Sequence, residues 1–177
     1  MNEKHHLIKF LLENVEDRGM LATLRRGAGQ KPGTYPAMFP IIAPLLTAGC
    51  SQNEEARYYL IAALFACHPK NSDIGNMGSH LRRTGNENTL KAVERRFSAL
   101  LAAPQEDLPN YLRQAVSLLK SAEIDVNWDR LFKDLKYWDH PDRFIQRKWA
   151  NAFWGKEPDN DNKNDDPQNK PGGEDVN

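Results

Sequence analysis

The 177 residues carry 24 basic and 24 acidic side chains, so the chain as a whole offers no excess charge to a polyanion or a membrane surface. The balance is uneven, however: beyond Trp154 three lysines face seven acids, which leaves 21 basic and 17 acidic side chains up to that point. A mildly basic body with an acidic tail excludes a strongly basic protein and directs attention to local patches, not to a sum.

The chain order begins with apolar residues at helical spacing. Leu7, Leu11 and Val15, widened by Ile8 and Leu12, predict a helix from His6 to Arg18. Gly19 then ends or pauses it, and Met20–Arg26 adds a turn or two before Gly27 and Gly29. Residues 31–36 read as loop, and Pro40 and Pro44 restrict a short apolar helical pair. Ser51 with Glu54 three positions on is a capping-box pattern. The helix it opens runs to about Cys67 and is apolar almost all round, which places it in the middle of a bundle. Residues 68–80 form the longest internal loop, with Pro69, Gly75 and Gly78 opposing regular structure.

Helices follow from Asn88 to Ala103, with Leu90, Val93, Phe97, Leu100 and Leu101 on one face, and from Pro109 to about Ala122. All four tryptophans lie in the last stretch, residues 127–154. Asn127 caps one helix there, striped by Trp128, Leu131, Phe132, Leu135 and Trp138. A turn at 139–142 puts Pro141 in the first turn of the final helix, whose buried stripe is Ile145, Trp149, Ala152 and Phe153. Trp154 falls on the opposite, cationic face, as a subunit contact or a stacking platform. Strand-type alternation is absent. The expectation is an all-α bundle of about seven or eight helices over residues 1–154. The segment 155–177, with Val176 as its one aliphatic residue, is expected to be a disordered acidic tail.

Catalytic chemistry is poorly supported. The five histidines are scattered, mostly in loops or at a frayed start. No HExxH, CxxC or phosphate-binding Gly-rich loop is present, so no metal and no cofactor is expected. Cys50 and Cys67 sit among apolar residues and read as small buried side chains of a reducing compartment. No apolar run reaches the ~18 residues that cross a bilayer, and MNEKHHLIKF has no signal-peptide core. These features point to a soluble cytoplasmic protein.

The cations carry the functional signal. Arg25 and Arg26 end a helix beside a glycine loop, where they either complement the helix dipole or meet phosphate. Arg82, Arg83, Lys91, Arg95, Arg96, Arg143, Arg147 and Lys148 lie off the apolar stripes, as do Arg130 and Lys133. Each alone fits a solvated surface with local ion pairs such as Arg130–Asp134. Together they favour arginine over lysine, which suits bidentate phosphate contact.

Three stretches, MLATLRRG, LRRTGNENTLKAVERRFSALL and WDRLFKDLKYWDHPDRFIQRKWANAFW, resemble the CasB-type small subunit of type I-E Cascade, the RNA-guided surveillance complex of a CRISPR system. The resemblance spans roughly residues 6–154. It implies a non-catalytic, all-α subunit, packed as two copies beside the guide-bearing subunits and contacting crRNA. It also implies a basic groove that holds the displaced non-target DNA strand and stabilises the R-loop. Since R-loop formation is a near-balanced exchange of duplexes, modest backbone contacts can tip it. Position by position, Arg26 with Arg25, then Arg95 and Arg96, then Arg143, Arg147 and Lys148 match the family's basic positions. Arg82, Arg83 and Lys91 join the candidate set on residue pattern alone. The rival readings are a helical scaffold that binds only protein and a helix-turn-helix regulator bound to a defined duplex site.

Overall fold

The computed structural model describes residues 3–155; the acidic segment from 156 onward, with the disorder expected of it, lies outside the described residues. Nine α-helices run through the described residues: α1 His6–Glu13, α2 Arg18–Gly27, α3 Phe39–Ile42, α4 Gln52–Cys67, α5 Met77–Arg82, α6 Leu90–Ala102, α7 Leu108–Ser121, α8 Trp128–Leu135 and α9 Phe144–Trp154. Single 3₁₀ turns, Pro36–Met38 and Ala43–Leu45, bracket α3. The sole β feature among these residues is one isolated parallel bridge, Asn71 to Val126.

The all-α expectation holds, with more helices than the periodicity suggested. The first helix stops at Glu13 instead of running to Arg18. Asp17 then caps α2, its carboxylate accepting the Met20 N–H at 2.8 Å, so Gly19 lies inside a helix and breaks nothing. In the predicted loop 68–80, Asn76 and Ser79 form a reciprocal capping box that starts α5 at Met77. Gly78 therefore is not a breaker. A Cβ on it would lie 1.9 Å from the Trp149 carbonyl oxygen, so the missing side chain lets α5 meet the α9 backbone. Pro141 stays outside α9, which starts at Phe144 behind Arg143 in a left-handed conformation (φ 48°).

Burial explains the layout. On α4 Tyr58, Tyr59 and the whole run Ile61–Ala66 are buried, and the helix packs against α1, α2, α7 and α8. A second group forms where α5 packs on α9, α6 and α7, so α7 bridges both halves of one core. Phe97 of α6 stacks on Phe153 of α9 with ring centroids 4.5 Å apart. Each such buried aromatic contributes on the order of 2–3 kcal/mol of transfer free energy.

The three tryptophans assigned to the core are there, and each indole N–H has a partner, as burial demands. Trp128 donates to the Lys70 carbonyl at 3.0 Å, and Trp138 to the Ala103 carbonyl at 3.1 Å. Trp149 donates to the buried Asp134 carboxylate at 2.6 Å. Burial raises the Asp134 pKa, while Arg130, paired at 2.8 Å, and the Trp149 N–H work against that rise.

Other expectations need correction. Cys50 and Cys67 are half-buried free thiols, not core residues. His68 and His80 are buried and hydrogen-bonded instead of lying in open loop. The histidines at the start are not frayed: the His5 backbone N–H donates to Asp129 at 2.7 Å, and the His6 ring meets the Leu45 carbonyl at 2.8 Å. Among the described residues no helix is long and apolar enough to cross a membrane.

Candidate nucleic-acid interface

The candidate surface is built around α6, which stands between α7 and α9. Its inward face is Val93, Phe97 and Leu100. Each residue turns the helix by about 100°, so Arg96 lies on one flank of that face, Glu94 and Leu101 lie on the other, and Lys91 and Arg95 form the outer crest. The contacts agree. Glu94 accepts the Trp154 indole N–H of α9 at 3.4 Å, and the Leu101 carbonyl accepts from the Arg143 guanidinium. Arg96 instead faces α7.

Between α6 and α7 lies an open groove of about 530 Å³, lined by Arg96, Arg113, Gln114, Ser117, Leu118 and Ser121. Its α7 wall follows from spacing: Arg113, Ser117 and Ser121 recur every four residues and so share one exposed stripe. Five of the six lining side chains are polar, and two are guanidinium groups. Such a wall offers forked cationic donors, hydroxyls and an amide to the oxygens of an anion.

The glycine loop after α2 joins this groove. Arg113 donates to the Ala28 carbonyl at 3.3 Å, tying α7 to the end of α2. Arg25 donates through Nε to the Ala66 carbonyl at 3.0 Å and so covers the open end of α4. Arg26, the next residue, is exposed. The half-buried Cys67 thiol records the convergence of charge: burial raises its pKa, and the fields of Arg25, Lys120 and Arg113 oppose the rise. Three cations from two helices therefore surround the end of α4.

The predicted residues thus separate by role and place. Arg96 and Arg25 stand with Arg113 and Lys120, and Arg26 adjoins them. Lys91 and Arg95 crown α6. Arg143 anchors the start of α9 to the last turn of α6, with Arg147 exposed one turn further on. Lys148 is half-buried and contributes its charge toward Asp134. Arg82 and Arg83 are exposed at the end of α5, where the charge of Arg83 reaches buried His80. Arg113 and Lys120 were absent from the predicted set. The Arg-x₃-Ser-x₃-Ser stripe on α7 was the sequence signal that could have found the first of them.

Fold and surface together define an all-α bundle whose polar face is an open, arginine-lined ridge and groove. The chain belongs to the CRISPR-associated Cse2 family, whose family model, "CRISPR-associated protein Cse2", matches residues 20–154. A relative from Thermus thermophilus, described as CRISPR-associated protein Cse2, is 33% identical over 135 residues, covering 76% of this chain and 78% of the relative. The crystal structure of CasB from Thermus thermophilus superimposes with a TM-score of 0.76 at 30% identity, over 88% of this chain and 99% of that one. A chain from a structure described as a CRISPR RNA-guided surveillance complex has the same fold, with a TM-score of 0.72 at 24% identity over 84% of this chain and 89% of that one. The resemblance noted in the sequence is therefore the family.

Proposed function

We propose that this protein is the non-catalytic small subunit of a type I-E CRISPR RNA-guided surveillance complex in the cytoplasm. It packs there beside the guide-bearing subunits and a second copy of itself. Its α6–α7 surface holds the sugar-phosphate backbone of the displaced non-target strand and so stabilises the R-loop. The observation that carries this reading is the facing of Arg96 and Arg113 across an open polar groove in a Cse2-family bundle. An open groove suits an extended strand better than a small molecule. Backbone contact also fits a partner whose sequence changes with every target, because phosphates carry no base identity.

The test is anisotropy of a labelled single-stranded oligonucleotide on the isolated protein across a salt series. Each single-strand phosphate contact contributes about 0.7 to the slope of log K against log salt. Arg96→Ala with Arg113→Ala should weaken binding at least tenfold near physiological salt and lower that slope by about 1.4. Unchanged affinity and slope would remove the groove from the strand's path.

The exposed apolar side chains Phe39, Ile74 and Trp154 (40%, 74% and 47% exposed) favour protein contacts elsewhere on the same subunit. They are compatible with packing in a complex and leave the groove to nucleic acid. A protein-only scaffold would bind no oligonucleotide in the same assay, and a duplex-site regulator would prefer one double-stranded sequence.

A further inference from the structure

Residues 32–53 hold no charged side chain, in a chain that is 27% charged. An uncharged run of that length belongs inside a protein, yet much of this one is outside. Residues 36–45 form one short helical rod, a 3₁₀ turn followed by α3 and a second 3₁₀ turn. Met38 and Ile42 are buried beneath it, whereas Pro36, Ala37, Phe39, Pro40, Ala43 and Pro44 are exposed. The three prolines recur every four residues and so share one stripe. Each stands at the start of its own short element, where a missing N–H costs little, and each fixes its φ. The exposed face is therefore apolar, and it is rigid before any partner arrives.

The face continues beyond the rod. The His6 ring meets the Leu45 carbonyl at 2.8 Å, and Lys4, two residues earlier, pairs with Asp73 at 2.9 Å. Residues 4–6 thus join the end of the rod to the loop that displays Ile74, and Lys4 and Asp73 neutralise each other between them. The loop is braced. The Ser72 hydroxyl donates to the Ile74 carbonyl at 3.0 Å and accepts the Ile74 N–H at 3.2 Å, while the Ser72 N–H donates to the Val126 carbonyl at 2.9 Å. The rod alone covers about 15–20 Å, so the face from Phe39 to Ile74 has the reach of a protein interface. It offers no cation to a phosphate and no net charge to an ionic partner. A rod and a loop tip are convex and call for a concave, equally uncharged acceptor. A second copy of the face would set rod against rod and leave Phe39 and Ile74 without pockets.

We infer that the face from Pro36 to Pro44, continued to Ile74, docks a protein subunit that is not a copy of this chain and that presents an uncharged apolar groove. Phe39 and Ile74 are its two anchoring side chains. Because proline and bracing hydrogen bonds hold both anchors in place, little freedom is lost on docking. The inference deepens the reading of the chain as a subunit of a surveillance complex and rests on it.

Two measurements test it. Hydroxyl-radical footprinting reads Phe39 and Ile74 in the unaltered chain, first free and then in the complex reconstituted from its subunits. Both should be oxidised in the free chain and protected in the complex. Interferometry then reads binding of the chain to the complex assembled without it. Phe39→Glu with Ile74→Glu should weaken that binding at least about thirtyfold, the loss expected of anchoring residues. Phe39→Leu with Ile74→Val should stay near the parent. The glutamate pair should keep the parent's melting temperature and its affinity for the single-stranded oligonucleotide, since both positions are exposed and outside the groove. Parent-like binding of the glutamate pair, or unprotected Phe39 and Ile74 in the complex, overturns the inference and leaves the subunit reading standing. A parent chain that joins no complex rejects that reading and the inference with it. Self-association of the isolated parent in sedimentation velocity, lost in the glutamate pair, gives the face to a second copy and likewise overturns the inference.

Discussion

His80 is 2% exposed, and its Nε2 accepts the Asn127 backbone N–H at 3.1 Å, which only the neutral ring can do. Burial, aided by the charge of Arg83 and opposed by Asp125, lowers its pKa from 6.5 to about 4. The unfolded chain therefore binds this proton first as pH falls. The contribution of neutral His80 to stability is complete above about pH 6.5 and is lost progressively between there and about pH 4. One pKa unit is about 1.36 kcal/mol, so the loss is on the order of 3 kcal/mol. His80→Gln keeps an acceptor near the same place without the titration. Its urea midpoint should fall less than that of the parent chain between about pH 7 and about pH 4.5, and parallel pH profiles would show that His80 does not carry the acid limb. Single residues were where sequence reasoning was least sufficient. Arg25 and Arg26 look equivalent as letters and both are exposed, yet Arg25 is held on the Ala66 carbonyl. Arg143 likewise serves the end of α6. A side chain's tertiary partner has no local signature, so these roles were not legible.

Helix periodicity transmitted more. The faces of α6 and α8 fall where the apolar spacing puts them, because burial of a stripe is a property of the sequence itself. Errors gathered where a local rule met a tertiary contact. Gly78 signals a break by propensity, but the fold uses it for the approach of α5 to α9. Gly78→Ala must move the α9 backbone, since the clash is with the Trp149 carbonyl and not with a flexible side-chain end. Overpacking of this kind costs about 1–3 kcal/mol or somewhat more. Chemical denaturation should place the variant near the upper end of that range, and a change below about 0.5 kcal/mol would mean that α5 and α9 do not meet as described. The α1–α2 boundary shows the same lesson in reverse. Asp17 caps locally and wins over Gly19, whose low helix propensity of about 1 kcal/mol is small beside a formed cap plus packing of Leu21 and Leu24.

At the scale of the molecule, the all-α class and the family were legible, whereas the layout of the cations was not. The candidate residues, a mere string in the sequence, become an anchored pair, a ridge and a groove only when α6 is set between α7 and α9. That arrangement separates two kinds of substitution. In a reconstituted surveillance complex, Arg96→Ala with Arg113→Ala should leave assembly intact and shorten the R-loop lifetime several-fold at physiological salt. Arg82→Ala with Arg83→Ala, on α5, should change the lifetime less. Equal effects would mean that the protein presents a diffuse field and no defined path. The placement of the indoles adds a practical consequence. Trp128, Trp138 and Trp149 are at most 2% exposed and Trp154, at the end of α9, is 47% exposed. Water-borne quenchers therefore reach one fluorophore selectively. The chain carries a native optical probe beside α6, and its emission can follow strand binding at that helix in unlabelled protein.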